Sequence, residues 1–177
     1  VGMPATDALV VVDDTLRGIG MRDQVTLFVA GKVTTGFDVL RALALGADGC
    51  FSARAMMFAL GCIQALKCNT NRCPTGVATT DPALAAGLVV NEKAPRVASY
   101  HRKTIESFLA LLGAAGLENP GALRRHHVER RISIAQSLNL ETLFPSIPEG
   151  AFITGEVPPH LAHFWASARP DRFEAAA

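Results

Sequence analysis

The stretch VTLFVAGKVTTGFDVLRALALGADGCFSARAMMFAL, residues 25–60, has the pattern of two successive strand–helix units. Residues 25–30 form a continuous apolar run with β-branched and aromatic side chains, which is typical of a strand buried on both faces of a parallel sheet. Helical spacing predicts a helix over residues 36–45, and a second strand and helix are predicted over 47–52 and 53–60. The connection between the strands is long enough for a parallel crossover. The sequence therefore predicts an α/β fold with parallel strands.

The segment GCIQALKCNTNRCPTGVATTDP follows directly and holds three of the four cysteines, Cys62, Cys68 and Cys73. Three thiolates on one short loop suit an iron–sulfur cluster or zinc, because thiolate is a soft, anionic ligand. Pro74 fixes the backbone after the last cysteine, and Gly76 permits a tight turn beside inorganic sulfide. The spacing therefore predicts a metal centre whose ligands are these three cysteines.

Other interpretations of the cysteines stay open. Free cysteines are often inert buried residues, although the polar composition of this loop disfavours that role. A structural zinc site normally has four ligands, often in CxxC pairs, and the sequence has no such pair. A disulfide fits the cysteine count, but nothing resembles a signal peptide, and an iron centre predicts a reducing compartment. Cys50, inside the second predicted strand, is expected to be a core residue.

These residues resemble the glutamate synthase large-subunit-like family, and most of all the FMN-binding glutamate synthase domain proteins. The likeness is strong over residues 25–81, looser to about residue 132 and weak beyond. In that family, three cysteines at this spacing hold a 3Fe-4S cluster, and they match Cys62, Cys68 and Cys73. The resemblance implies the last two βα units of a (β/α)8 TIM-type barrel, followed by an iron–sulfur loop at about 61–82 and C-terminal helices. We therefore expect a C-terminal fragment of a longer protein.

Two predicted loops follow the strands, AGKVTTG at 30–36 and FSARAM at 51–56. In barrels of this type the last two βα loops commonly bind a phosphate at the C-terminal ends of the strands. Glycine lets the backbone approach an anion, lysine and arginine add positive charge, and the start of a helix favours an anion. The resemblance implies that the phosphate belongs to FMN. The predicted phosphate-binding residues are Gly31, Lys32, Ser52, Ala53 and Arg54.

Composition places limits on the partners. The chain has 177 residues with a formal net charge of +1, so charge gives no reason to expect nucleic acid. No apolar run is long enough to span a bilayer. The basic cluster at residues 124–131 is expected to be a solvated helix or a docking surface.

The remaining helices are predicted from the helical spacing of apolar residues. A helix over residues 7–19 is predicted with Asp7 as its N-cap, and Asp13, Asp14 and Arg17 are expected on its solvent-facing side. The strongest helical pattern covers residues 94–112, with Pro95 in its first turn. We divide the chain into a barrel-derived domain, residues 1–133, and an extended, aromatic-anchored tail, residues 134–177.

The resemblance implies a glutamate-synthase-like oxidoreductase acting on the CH–NH2 group of donors. Such an enzyme forms glutamate reductively from 2-oxoglutarate and an amino-group nitrogen through FMN and a 3Fe-4S cluster. The expected electron donor is ferredoxin or an NAD(P)H-dependent reductase subunit, and the expected location is cytoplasmic. The family's catalytic side chains lie upstream of this sequence, so no catalytic residue is assigned and the chain alone is expected to be inactive. The alternatives are a stand-alone iron–sulfur electron carrier or metal-binding module, and an inactive remnant of the enzyme.

Overall fold

The computed structural model describes residues 2–171 and shows a mixed α/β chain, mostly helical, with two small sheets. The described residues form two compact units, one of residues 28–44 and 49–123, the other of residues 2–27, 45–48 and 124–171. This architecture confirms the predicted α/β class. Within residues 2–171, no helix has the length and apolar character needed to cross a membrane.

Helices outnumber strands in the described residues. In chain order, the elements are α1 (Ala5–Gly18), β1 (Phe28–Ala30), α2 (Gly36–Ala44), β2 (Gly49–Phe51), α3 (Arg54–Leu60), α4 (Pro82–Ala85), α5 (Val90–Ala114), β3 (Glu129–Arg131), β4 (Ser137–Asn139), α6 (Leu140–Leu143) and α7 (Pro159–Ser167).

We call residues 28–44 and 49–123 the helical unit; it contains the parallel pair β1–β2. Phe28 lies opposite Gly49 and Ala30 opposite Phe51, so the strands run in the same direction, as predicted. The long helix α5 packs against both α2 and α3. At Gly36 an added Cβ would lie 2.5 Å from a backbone nitrogen of α5, so only glycine allows this close approach.

One face of the β1–β2 pair is exposed. Phe28 is 58% and Phe51 61% exposed, and their ring centroids lie 5.3 Å apart. The prediction that the first strand is buried on both faces is therefore wrong for this chain. In the described part of the chain, no layer of structure covers this side of the sheet, whereas Val29 and Cys50 on the other side are half-buried.

Helix α5 begins earlier than predicted. It starts at Val90, so Pro95 lies inside the helix instead of in its first turn. Proline is a signal for a helix start because its missing N–H is not needed there, but an interior proline costs a helical hydrogen bond and is tolerated here. Phe108 and Leu112 form the buried face of α5.

We call residues 2–27, 45–48 and 124–171 the ionic unit, because buried charges lie at its centre. Asp13 and Asp14 of α1 are each 1% exposed, so the expectation that they face solvent is wrong. Arg22 Nε donates to Asp13 Oδ1 at 2.7 Å. Arg125 Nη2 donates to Asp14 Oδ1 at 2.6 Å and to Asp13 Oδ2 at 3.1 Å. Each buried carboxylate therefore has a hydrogen-bonded cation beside it.

The two arginines also bind backbone carbonyl groups. Arg22 donates to the carbonyl oxygens of Val25 at 2.8 Å and Gly46 at 2.7 Å, and Arg125 donates to that of Phe144 at 2.8 Å. Arg125 is only 4% exposed, so the expectation that it belongs to a solvated basic cluster is wrong. A Cβ at Gly46 would lie 2.3 Å from Asp13 Cγ, so glycine is required next to the carboxylate.

The burial of Asp14 is only partly compensated. Its Oδ2 atom is buried and has no hydrogen-bond partner among the described residues. Burial raises the pKa of Asp14, and the hydrogen bond and charge of Arg125 oppose that rise only in part. The charge on Asp14 therefore depends on Arg125 remaining in place.

Two further differences concern the chain ends. The position before α1 is occupied by Pro4, so Asp7 is not the N-cap but lies in the first turn, where its negative charge interacts favourably with the helix dipole.

Residues 134–171 include α6 and α7 as well as extended segments, and Phe152 is buried against Trp165 with ring centroids 5.0 Å apart. Residues 172–177 of the predicted tail lie outside the described residues, and the division at residue 133 stays a prediction.

Replacing the buried cation should destabilise the chain far more than replacing an exposed one. We expect Arg125→Ala to lower the free energy of unfolding by about 3–5 kcal/mol, because it leaves two buried carboxylates without their shared partner. The exposed Arg130 provides the matched control, and Arg130→Ala should cost about 0.5 kcal/mol or less. Urea unfolding of the two variants measures both, and equal losses would show that the buried ion pairs contribute little.

Candidate functional site

The candidate site begins where the two parallel strands end. Because Ala30 lies opposite Phe51, the loops after β1 and β2 leave the sheet at the same edge. Ser52 Oγ donates to the carbonyl oxygen of Val33 at 2.8 Å, which joins the two loops. The structure thus brings the residues predicted to bind phosphate onto two neighbouring loops: Gly31, Lys32, Ser52, Ala53 and Arg54.

The side chains at this edge differ in what they can offer an anion. Lys32 and Arg54 are exposed, and neither has a carboxylate partner in the described part of the chain. The Ser52 hydroxyl proton is already used by Val33, so in this arrangement Ser52 holds the loops together. Lys32 has φ +53°, a left-handed conformation that costs a non-glycine residue about 1 kcal/mol. Two cations thus lie at this edge, and one of them is on a loop held in an unusual conformation.

The loop between β1 and α2 is closed by a carboxylate. Asp38 Oδ2 accepts hydrogen bonds from the backbone N–H and the hydroxyl of both Thr34 and Thr35, at 2.9 to 3.1 Å. Burial acts to raise the pKa of Asp38, but these hydrogen bonds outweigh it and lower the pKa below its ordinary value. The Tyr100 hydroxyl of α5 donates to the carbonyl oxygen of Thr34. The loop is therefore fixed by Asp38, by Tyr100 and by the bond from Ser52.

The role of Asp38 is absent from the sequence-based predictions, which only include this residue in the helix predicted over residues 36–45. The signal was present, because Thr35-Gly36-Phe37-Asp38 matches the capping-box pattern. The structure forms that box in both directions: Asp38 N–H donates to Thr35 Oγ1 at 3.1 Å, and Thr35 N–H donates to Asp38 Oδ2 at 3.0 Å.

The cysteine loop follows α3 and is largely irregular, with a single 3-10 turn at Cys68–Thr70. All four cysteines of the chain are free; Cys73 is buried, Cys62 is half-buried and Cys68 is exposed. Within residues 2–171, no group of three or more Cys, His, Asp or Glu side chains is placed to hold a metal ion. The three predicted ligands thus share one loop, but their sulfur atoms are not gathered around one point.

Cys73 has an environment suited to a thiolate. The Thr75 hydroxyl, 3.4 Å from its sulfur, and the backbone N–H groups of Ala78 and Thr75 lower the pKa of Cys73 to about 7. At Cys62, the sulfur accepts a hydrogen bond from the Gln64 N–H at 3.5 Å. N–H groups directed at sulfur are how proteins stabilise cluster thiolates, so the donor chemistry of the loop fits a cluster. By contrast, burial raises the pKa of Cys50 in β2.

The end of the cysteine loop is held by hydrogen bonds. Asn71 Oδ1 accepts hydrogen bonds from the Thr80 N–H at 2.7 Å and the Thr79 hydroxyl at 3.2 Å. Gly76 has φ +74°, and a Cβ there would lie 2.5 Å from the carbonyl oxygen of Leu84, so the expectation that Gly76 supports a tight turn is confirmed. Cys73 therefore lies between two well-anchored turns.

The Thr75 hydroxyl should control the reactivity of Cys73. We expect the rate of Cys73 alkylation to follow a titration near pH 7, and Thr75→Val to move that titration to higher pH because the thiolate loses a donor. In the control Thr70→Val, the lost hydroxyl contacts the Lys67 carbonyl and not a sulfur, so the titration should stay in place. Peptide mass mapping of chain alkylated at a series of pH values measures this, and an identical shift in both variants would refute the assignment.

Known proteins match this chain over most of its length. A family model described as "Conserved region in glutamate synthase" matches residues 1–118. The glutamate synthase large subunit-like protein YerD of Bacillus subtilis is 44% identical over 143 residues, which is 81% of this chain and 27% of that protein. An archaeal glutamate synthase (NADPH) of Methanocaldococcus jannaschii is 37% identical over 70% of this chain and 24% of its own length.

A further archaeal glutamate synthase (NADPH), from Archaeoglobus fulgidus, is 34% identical over 81% of this chain and 28% of its own length. The chain therefore spans about a quarter of the length of these curated relatives. The family model alone covers well over half of the 177 residues. Together with the two strand–helix units and the three-cysteine loop, these matches show that the chain belongs to the glutamate synthase family.

Proposed function

We propose that this chain supplies the cluster-binding and flavin-phosphate-binding part of a glutamate-synthase-like oxidoreductase. The observation that carries the proposal is the short connection between its two candidate sites. The seven-residue helix α3 begins at the phosphate edge and ends immediately before the cysteine loop. At 1.5 Å per residue it is about 10 Å long, so a cluster held by this loop would lie near a flavin whose phosphate rests at the strand ends.

For the cluster, the ligands we propose are Cys62, Cys68 and Cys73, holding a 3Fe-4S centre. Support comes from three thiols on one loop, from the lowered pKa of Cys73 and from the N–H groups directed at two of the sulfurs. Binding would require Cys62 and Cys68 to approach Cys73. Cys68 is exposed, so its approach would not uncover a buried side chain.

For the flavin, the proposed cofactor is FMN, with its phosphate at the edge formed by the loops after β1 and β2. Lys32 and Arg54 would supply charge, Gly31 close backbone approach, Ala53 the start of α3, and Ser52 the link between the loops. When bound, FMN supplies hydride transfer and the cluster supplies single electrons. The described residues hold and orient these groups, and none of them is assigned a catalytic role.

The proposed fold context is the last two βα units of a (β/α)8 barrel. The exposed faces of Phe28 and Phe51 support it, since a two-stranded parallel sheet is not stable alone and apolar faces of this kind are normally covered. The remaining strands would come from polypeptide outside this sequence. That polypeptide would also carry the sites for 2-oxoglutarate and the nitrogen donor.

The proposed electron donor is ferredoxin or an NAD(P)H-dependent reductase subunit, and the proposed location is the cytoplasm. NADPH appears in the names of the archaeal relatives, which supports a reductant of that type. A stand-alone iron–sulfur electron carrier is the second candidate, supported by the position of all three proposed ligands on one loop of this chain.

Cluster binding can be tested on the chain directly. After anaerobic reconstitution with iron and sulfide we expect about three irons and about four sulfides per chain. Cys68→Ser should lower the iron content sharply, because a hydroxyl is a poor ligand for this centre. Cys50→Ser is the matched control and should retain the iron, since Cys50 lies in β2, outside the loop.

The same reconstitution separates the candidate functions. A chain that takes up iron and also binds FMN supports the oxidoreductase. Iron without FMN supports the electron carrier. One tightly held zinc, or iron content unaffected by Cys68→Ser, would contradict cluster binding by these cysteines.

A further inference from the structure

We propose that Asp38 is a positioning residue for the phosphate loop, residues 31–35, and that Tyr100 of α5 assists it. Both side chains bond to the loop itself, Asp38 to Thr34 and Thr35 and Tyr100 to Thr34, and the role proposed for them does not include contact with the anion. They would act by holding the loop in the conformation that presents Gly31 and Lys32. This inference rests on the proposed FMN phosphate site and adds the groups that shape it.

Asp38 gathers an unusual number of donors on one oxygen. Its Oδ2 atom accepts four hydrogen bonds, two from Thr34 and two from Thr35, while Oδ1 accepts one from Arg41 at 3.1 Å. Hydrogen bonds to an ionised acceptor are stronger than neutral ones. The second half of the loop is therefore held by a single charged group at the start of α2.

The first half of the loop needs that support. Lys32 is in a left-handed conformation, which persists in proteins where the surrounding structure fixes it. On one side the chain is held by the pairing of Ala30 with Phe51, and on the other by the bond from Ser52 to the Val33 carbonyl. Gly31 and Lys32 are the two residues left between these anchors, so they are the part of the loop that can face a ligand.

Tyr100 adds an anchor from a different element. Its hydroxyl donates to the Thr34 carbonyl, so α5 holds the same residue whose N–H and hydroxyl are bound by Asp38. Thr34 is thus held at its backbone N–H, its hydroxyl and its carbonyl oxygen. Removing either partner should loosen the loop without removing any group that contacts the anion.

A negative charge beside an anion site would normally repel the ligand. Here Arg41 and the four donors surround the Asp38 carboxylate and offset its charge. The hydrogen bonds lower the pKa of Asp38, so the ionised form that accepts them persists to more acidic pH. The carboxylate can therefore organise an anion-binding loop.

The test compares two flavins that differ only in the phosphate. FMN and riboflavin are titrated into the 177-residue chain, and the quenching of flavin fluorescence gives both dissociation constants. We expect the wild-type chain to bind FMN more tightly than riboflavin. Asp38→Asn should weaken FMN binding about tenfold and leave riboflavin binding unchanged, because the neutral amide accepts weaker hydrogen bonds and its NH2 group must face either Arg41 or the threonine donors.

Two further variants make the result specific. Tyr100→Phe removes only the hydroxyl and should weaken FMN binding about threefold, again with riboflavin unchanged. Asp81→Asn is the matched control: Asp81 caps α4 through the Ala83 N–H at 2.9 Å, outside the phosphate loop, so the preference for FMN should be retained. Circular dichroism of each variant checks that the fold is kept.

The outcomes distinguish a failure of the phosphate site from a failure of the role proposed for Asp38. A wild-type chain that binds both flavins equally, or neither, would overturn the phosphate site and this inference with it. A wild-type preference for FMN that survives Asp38→Asn would leave the site standing and overturn the inference. Equal weakening of both flavins by Asp38→Asn would also overturn it, because that is the result of a purely structural role.

Discussion

The pairing of β1 with β2 is the contact on which the candidate site depends. Each strand has three residues, and their register alone decides that the loops after Ala30 and Phe51 leave the sheet together. A slip of one residue would reverse the faces of one strand and separate Ser52 from the Val33 carbonyl. A strand pair of only three residues per strand is weakly stable by itself. The packing of α5 against α2 and α3 stabilises the helices that flank these strands.

Helix α5 therefore has two effects in its unit. Phe108 and Leu112 give it a buried face, and Gly36 lets α2 come close enough to be held. The same helix carries Tyr100, which reaches the phosphate loop. Packing and site geometry are thus coupled, because a shift of α5 would move an anchor of the loop.

Periodicity is enough to predict α1, α2, α3, most of α5 and the parallel pair β1–β2, since these follow from local spacing of apolar residues, but it does not predict α6 and α7 in the tail expected to be extended. It fails for Asp13, Asp14 and Arg125, because a charged residue is read locally as a surface residue. Their partners are separated by 111 and 112 positions, which no local pattern can reveal. It also fails for the exposed face of the strands, because burial depends on what covers a sheet and not only on its own residues.

The site is predictable in part. The three cysteines and the two strand-end loops are recognisable from residue type and spacing, and a capping-box pattern marks Asp38. The position of each sulfur is not predictable, because a metal-binding loop takes its final geometry together with its metal. Likewise, the residue type of Ser52 predicts that its hydroxyl binds the anion. In the structure the hydroxyl instead joins the two loops by donating to Val33, and this contact depends on the register of the sheet.

The most direct test is a crystal structure of the anaerobically reconstituted chain, measured at the iron absorption edge. We predict one compact anomalous peak within bonding distance of the sulfur atoms of Cys62, Cys68 and Cys73, close to the end of α3. An iron peak bound elsewhere, or three cysteines joined to zinc or to one another, would contradict the central claim that this loop holds an iron–sulfur cluster.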